Sequence, residues 1–95
     1  QRPVVIDSHD IRADPRAALE GLCDAIGLEF TEKMLSWPKG GHPGDGVWAP
    51  HWYAAVWQST GFAAPEGPLP KVPADLQPVL AAAMPFYERM REETP

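Results

Sequence analysis

Asp14-Pro15-Arg16-Ala17-Ala18-Leu19-Glu20-Gly21-Leu22-Cys23-Asp24-Ala25-Ile26-Gly27 spells out a helix together with both of its ends. Asp14 is a preferred N-cap, and Pro15 suits the first helical position, whose N–H has no intrahelical partner anyway. Leu19, Leu22, Cys23 and Ile26 recur at i, i+3, i+4 and i+7, which makes one apolar stripe. Gly27 is the stop. The spacing sends Leu19, Leu22 and Ile26 toward a core and Glu20 and Asp24 toward water. Cys23 sits in the same stripe and reads as a packed thiol, not a nucleophile.

Upstream, Pro3-Val4-Val5-Ile6-Asp7 is apolar without alternation, the pattern of a short strand buried on both faces. No second convincing strand follows. A lone strand cannot satisfy its own backbone. The expectation is therefore the tail of a larger α/β protein, or a strand that pairs with another chain.

Downstream, Thr31 caps a short helix over 32–36, with Phe30 and Leu35 placed for a hydrophobic staple and Pro38 as the stop. The stretch 38–46, P-K-G-G-H-P-G-D-G, holds four glycines and two prolines and reads as a loop. A third helix starts near Pro50 and runs to Thr60 before Gly61. Residues 63–73 form a proline-rich extended connector. A last helix spans 74–92, with Pro78 in its early turns and Pro85 inside it, where a kink is expected. The chain divides into a segment 1–62 that carries the loop, the connector 63–73 and the terminal helical segment 74–95. As an isolated chain it is expected to be mainly α, with one short N-terminal strand and three to four helices.

The bulk properties narrow the function. A length of 95 residues allows one small domain. Eight Lys and Arg against 13 Asp and Glu leave no basic stripe, which argues against a nucleic-acid partner held by phosphate contacts. No apolar run approaches the ~18 residues of a membrane span, so no membrane partner is expected. One cysteine cannot build an internal disulfide framework and fits a reducing, cytoplasmic setting.

The glycine-rich loop carries the clearest chemistry. Lys39 beside the backbone N–H groups of Gly40 and Gly41 is a candidate anion cradle, because glycine lets an anion approach the backbone closely. The same stretch also reads as a solvated connector. Trp48, Trp52, Tyr53 and Trp57 cluster just after it, either as core packing or as a platform for an aromatic ring. His9, His42 and His51 are too scattered for a zinc signature, so no metal is expected.

Taken together, Val4 to Pro15, the leucine-striped helix with Ala25-Ile26-Gly27-Leu28, and the later Lys39-Gly40, Gly44-Asp45 and Trp48 resemble the late core segment of P-loop sulfotransferases. In that family a Lys-Gly-x-x-Gly-Asp-Trp loop wraps the 3′-phosphate of the donor, 3′-phosphoadenylyl sulfate. The family's arginine before the lysine is Pro38 here, and the spacings to Gly-Asp and Trp are longer. The resemblance covers residues 3–62. It implies the C-terminal segment of an α/β P-loop fold and the C-terminal portion of a sulfotransferase-like enzyme, not catalytic alone. Its implied donor-binding residues are Lys39, Gly40 and Gly41, with Trp48, His51 and Trp52 lining the neighbouring wall. No catalytic residue is assigned. The implied partners are the nucleotide donor and either the N-terminal P-loop portion of a parent or another copy of the chain. The alternative is a small helical interaction or dimerisation module with an aromatic groove.

Overall fold

The computed structural model describes residues 2–95. Residues 2–7 form no regular secondary structure, and Asp7, itself in an extended conformation, caps helix α1, Ser8–Ala13. The Asp7 carboxylate accepts the His9 N–H at 2.8 Å, satisfying a donor that the first turn leaves without a partner. Helix α2, Pro15–Ile26, follows at once. Asp14 accepts the Ala17 N–H at 3.0 Å, and Gly27 ends the helix at φ 74, in the left-handed region where a Cβ is disfavoured. Leu28 closes the last turn by donating to the Cys23 carbonyl at 2.8 Å. Both ends of α2 are those that the sequence marks.

The strand expected at 4–7 does not form. The segment has no regular structure, and its one backbone hydrogen bond to a distant part of the chain runs from Val5 N–H to the Glu93 carbonyl at 3.3 Å. Among the described residues the strand-like pairing is a single antiparallel bridge between Ser36 and Gly61. The reason is the one that governs any lone strand: its ladder needs a neighbour, and the described residues supply none.

The later helices are shorter than their patterns suggest. The helix expected at 32–36 is a 3₁₀ turn, Glu32–Met34, capped by Thr31. Beyond it the backbone must extend to reach the Ser36–Gly61 bridge and to let Trp37 N–H donate to the Thr60 carbonyl at 3.0 Å. The helix expected over 50–60 is two pieces, α3, Ala49–Trp52, and α4, Ala54–Gln58. Tyr53, at φ -105 and ψ 13, bends between them, although hydrogen bonds still run from Tyr53 N–H to Ala49 and from Trp57 N–H to Tyr53. A further 3₁₀ turn, Ala74–Leu76, leads into α5, Gln77–Arg91, with Pro85 inside it.

Packing is thin. Cys23 and Ala49 are the buried apolar residues, and the Cys23 thiol lies 3.9 Å from the Met34 sulfur. Leu19 and Leu22 are half-buried and Glu20 and Asp24 exposed, as the stripe requires, but Ile26 is 49% exposed. On α5, Leu80 and Met84 are half-buried while Val79, Phe86 and Met90 face outward. The accessible surface is 7942 Å², against roughly 5,400 Å² for a folded monomer of this mass. The radius of gyration is 16.7 Å, against about 12 Å for a compact domain of this length.

The two ends of the chain meet at Asp7. Tyr87 O–H and Arg91 Nη1 of α5 both donate to Asp7 Oδ2, at 2.5 and 2.7 Å, and Arg91 Nη2 lies 3.4 Å from Asp10. The Asp7 side chain is only 10% exposed. The Tyr87 hydroxyl above all, then the His9 N–H and Arg91, pull its carboxyl from 3.8 to about 2, against the opposing effect of burial. Because the folded pKa is depressed, the stabilisation is complete above pH ~4 and is lost as pH falls through about 2. An acid titration followed by circular dichroism should show the wild-type chain losing helix across that window. Asp7→Asn should start less stable at neutral pH and vary less between pH ~4 and ~2. Superimposable acid profiles would show that this tie contributes nothing.

Candidate functional site

The glycine-rich loop is a built structure, not a slack connector. His42-Pro43-Gly44-Asp45 makes one 3₁₀ turn, Pro43–Asp45, closed by reciprocal caps. His42 N–H donates to Asp45 Oδ2 at 2.8 Å, and Gly44 N–H donates to His42 Nδ1 at 2.9 Å. That acceptor role places the His42 proton on Nε2. Gly40 at φ 118 and Gly46 at φ 85 let the chain turn into and out of the motif.

Trp57 of α4 holds this turn from the other side. Its indole Nε1–H donates to Asp45 Oδ2 at 2.9 Å, and its carbonyl accepts the Gly40 N–H at 2.8 Å. Its ring lies against Gly41, where an added Cβ would stand 3.0 Å from Cε2. The Asp45 carboxyl is held below its ordinary value, chiefly by the His42 N–H and then by the Trp57 N–H. Asp45 is thus a carboxylate whose single oxygen organises two donors.

These contacts sort the sequence-derived residues. Lys39 is exposed and has no hydrogen bond or ion pair among the described residues. The Gly41 N–H likewise has no acceptor there. Gly40 takes a different part from the one expected: its N–H is bound to Trp57, so it serves the loop through its left-handed backbone and not as a free donor.

The expected wall residues lie together on or beside α3. The Trp48 and His51 rings are 6.2 Å apart and inclined at 54°, with Trp52 one position on. They are not core: Trp48 is 70% and Trp52 75% exposed. The half-buried tryptophans are Trp57, under the loop, and Trp37, whose Nε1–H donates to Ser59 at 2.9 Å and whose ring meets Phe62 edge-on at 5.4 Å. Sequence reasoning placed Trp57 in the aromatic cluster but matched Trp48 to the loop. The half-buried position of Trp57 under the loop appears only once the α3–α4 bend is known.

The family described as a sulfotransferase domain matches residues 2–94. The chain belongs to the sulfotransferase domain family. Two relatives from Arabidopsis thaliana carry the same segment. Branched-chain-amino-acid aminotransferase-like protein 1 is 40% identical over 89 residues, covering 94% of this chain and 16% of that protein. Branched-chain-amino-acid aminotransferase-like protein 2 is 37% identical, with the same coverage. The sulfotransferase-like chain spans about a sixth of the length of these curated relatives. No solved structure matches it significantly. No helix of the described chain is long and apolar enough to cross a membrane.

Within this sulfotransferase-family chain, Gly41 is the position where a small change should be felt most directly. Gly41→Ala should push the loop from the Trp57 ring, since a carbon at 3.0 Å leaves no slack. In a ¹H–¹⁵N spectrum the Trp57 indole resonance should move while that of Trp37 stays. An unmoved Trp57 signal would mean the loop and ring are not in contact.

Proposed function

We propose that this chain supplies the 3′-phosphate-binding loop of a sulfotransferase-like enzyme, as its C-terminal portion. Family membership supports the donor class, 3′-phosphoadenylyl sulfate, which when bound supplies the sulfuryl group for transfer to an acceptor hydroxyl or amine. The observation that carries the loop's role is its division of labour. Gly40, His42, Gly44 and Asp45 use their polar groups to fix the turn, while Lys39 and the Gly41 N–H stay unpartnered on an exposed edge. A cation beside a backbone donor, in a loop that glycines keep open, suits a doubly charged phosphate.

The residues present fit that group. Lys39 would meet the phosphate charge and Gly41 would donate from the backbone, with Gly40 shaping the approach. Trp48, His51 and Trp52 present an exposed aromatic face next in the chain, of the kind on which a purine stacks. The remaining half of the donor site, a P-loop for the 5′-phosphosulfate, is to come from the N-terminal P-loop portion of a parent polypeptide or from another copy. We place the protein in the cytoplasm, as its single buried thiol suggests. The same exposed tryptophans support a second reading, a helical module whose aromatic groove binds another protein.

Calorimetry with adenosine 3′,5′-bisphosphate at one fixed salt concentration separates the two. Binding to the 95-residue chain should be weak, because half the cradle lies elsewhere. Lys39→Ala should weaken it further, by about 1–3 kcal/mol, the size of a hydrogen bond to a charged group. Raising the salt should erode the difference. Equal affinities for wild type and Lys39→Ala would remove the loop from the donor site and leave the interaction module.

A further inference from the structure

We infer that Asp45 and Trp57 are the positioning pair of the anion loop, with the Asp45 charge itself opposing the anion that the loop is shaped to hold. The inference rests on the phosphate-binding reading of Lys39 and Gly41 and goes beyond it to residues that touch no ligand.

Three contacts converge on Trp57. Its Nε1–H donates to Asp45, its carbonyl accepts from Gly40 and its ring lies against Gly41. The two unpartnered groups, Lys39 and the Gly41 N–H, therefore flank and include the residues that Trp57 holds. Asp45 completes the clasp from the far end of the turn. One oxygen, Oδ2, accepts both the His42 N–H and the Trp57 N–H, while Oδ1 has no hydrogen bond among the described residues.

That geometry makes the charge and the hydrogen bonds of Asp45 separable. An asparagine at 45 can place its carbonyl oxygen where Oδ2 stands, keep both donors, and turn its amide toward the unpartnered side. It loses only the negative charge. An alanine loses both hydrogen bonds. If Asp45 acts by holding the loop, the two substitutions must move anion affinity in opposite directions. A merely structural acid would lower it in both cases.

The test uses the 95-residue chain and adenosine 3′,5′-bisphosphate at low and at moderate salt. Asp45→Asn should bind about threefold more tightly than wild type at low salt, with the gain shrinking as salt rises, because the removed term is an unscreened repulsion. Asp45→Ala should bind about tenfold more weakly. Trp57→Phe, which keeps the carbonyl and an aromatic ring but lacks the indole N–H, should fall on the same side as Asp45→Ala. It stands in if the alanine variant loses its helical circular dichroism. In a ¹H–¹⁵N spectrum the Trp57 indole signal should stay near its wild-type position in Asp45→Asn and shift in Asp45→Ala. Asparagine and alanine variants that weaken binding alike, or Asp45→Ala and Trp57→Phe variants that bind like wild type, would overturn the inference. If this happens while Lys39→Ala still weakens binding, the phosphate-binding reading survives alone. If the wild-type chain shows no affinity at all, both fall.

Discussion

The Asp7 carboxylate does three jobs with two oxygens, and the arrangement of the chain depends on it. One oxygen caps α1; the other receives Tyr87 and Arg91 from the far end of α5. With two buried apolar residues among those described, no hydrophobic core dictates where α5 must lie. A charge-assisted cluster with a largely enclosed acceptor sets that position instead. It is seconded by Arg12, which pairs with Glu66 at 3.1 Å and anchors the connector to α1. Between these ties runs an open groove of about 1210 Å³, with Val5, Met84 and Met90 among its lining.

The loop solves the same problem on a smaller scale. Here too a carboxylate accepts two donors on one oxygen, and an element distant in sequence supplies the second. Four glycines would make a floppy connector by composition alone. The reciprocal cap within the turn and the indole beneath it convert that freedom into a defined shape. This matters for any role in binding, because a preformed loop loses less conformational entropy when it meets its ligand.

What was legible in the sequence was whatever is encoded locally. Asp14-Pro15 and Gly27 bracket α2 because a cap and a left-handed stop act within one turn of themselves. The family was legible because it rests on short motifs read in order, and the match over residues 2–94 agrees. The failures are all matters of partnership. Val4-Val5-Ile6 has a strand's composition but no strand beside it. The short helix after Thr31 gives way to extension because Ser36 and Trp37 bond to residues near 60. Within the site, Lys39 and the glycines could be singled out by type, whereas the engagement of Gly40 and the role of Trp57 depend on a bend at Tyr53 that no pattern announces. The Asp7–Tyr87 bond, joining residues eighty positions apart, has no local signature at all.

The large accessible surface bears on how this chain behaves thermodynamically. Folding removes only about half of the surface that the unfolded chain exposes, roughly a quarter less than a compact domain of equal mass would remove. Heat-capacity change and denaturant sensitivity both scale with that area. The chain by itself is therefore expected to show a broad, shallow unfolding transition and a stability curve flatter than its length suggests. Any surface that covers Ile26, Phe86 or Trp52 adds the missing burial only when it binds. Were such a surface bound, apparent stability would rise with its concentration.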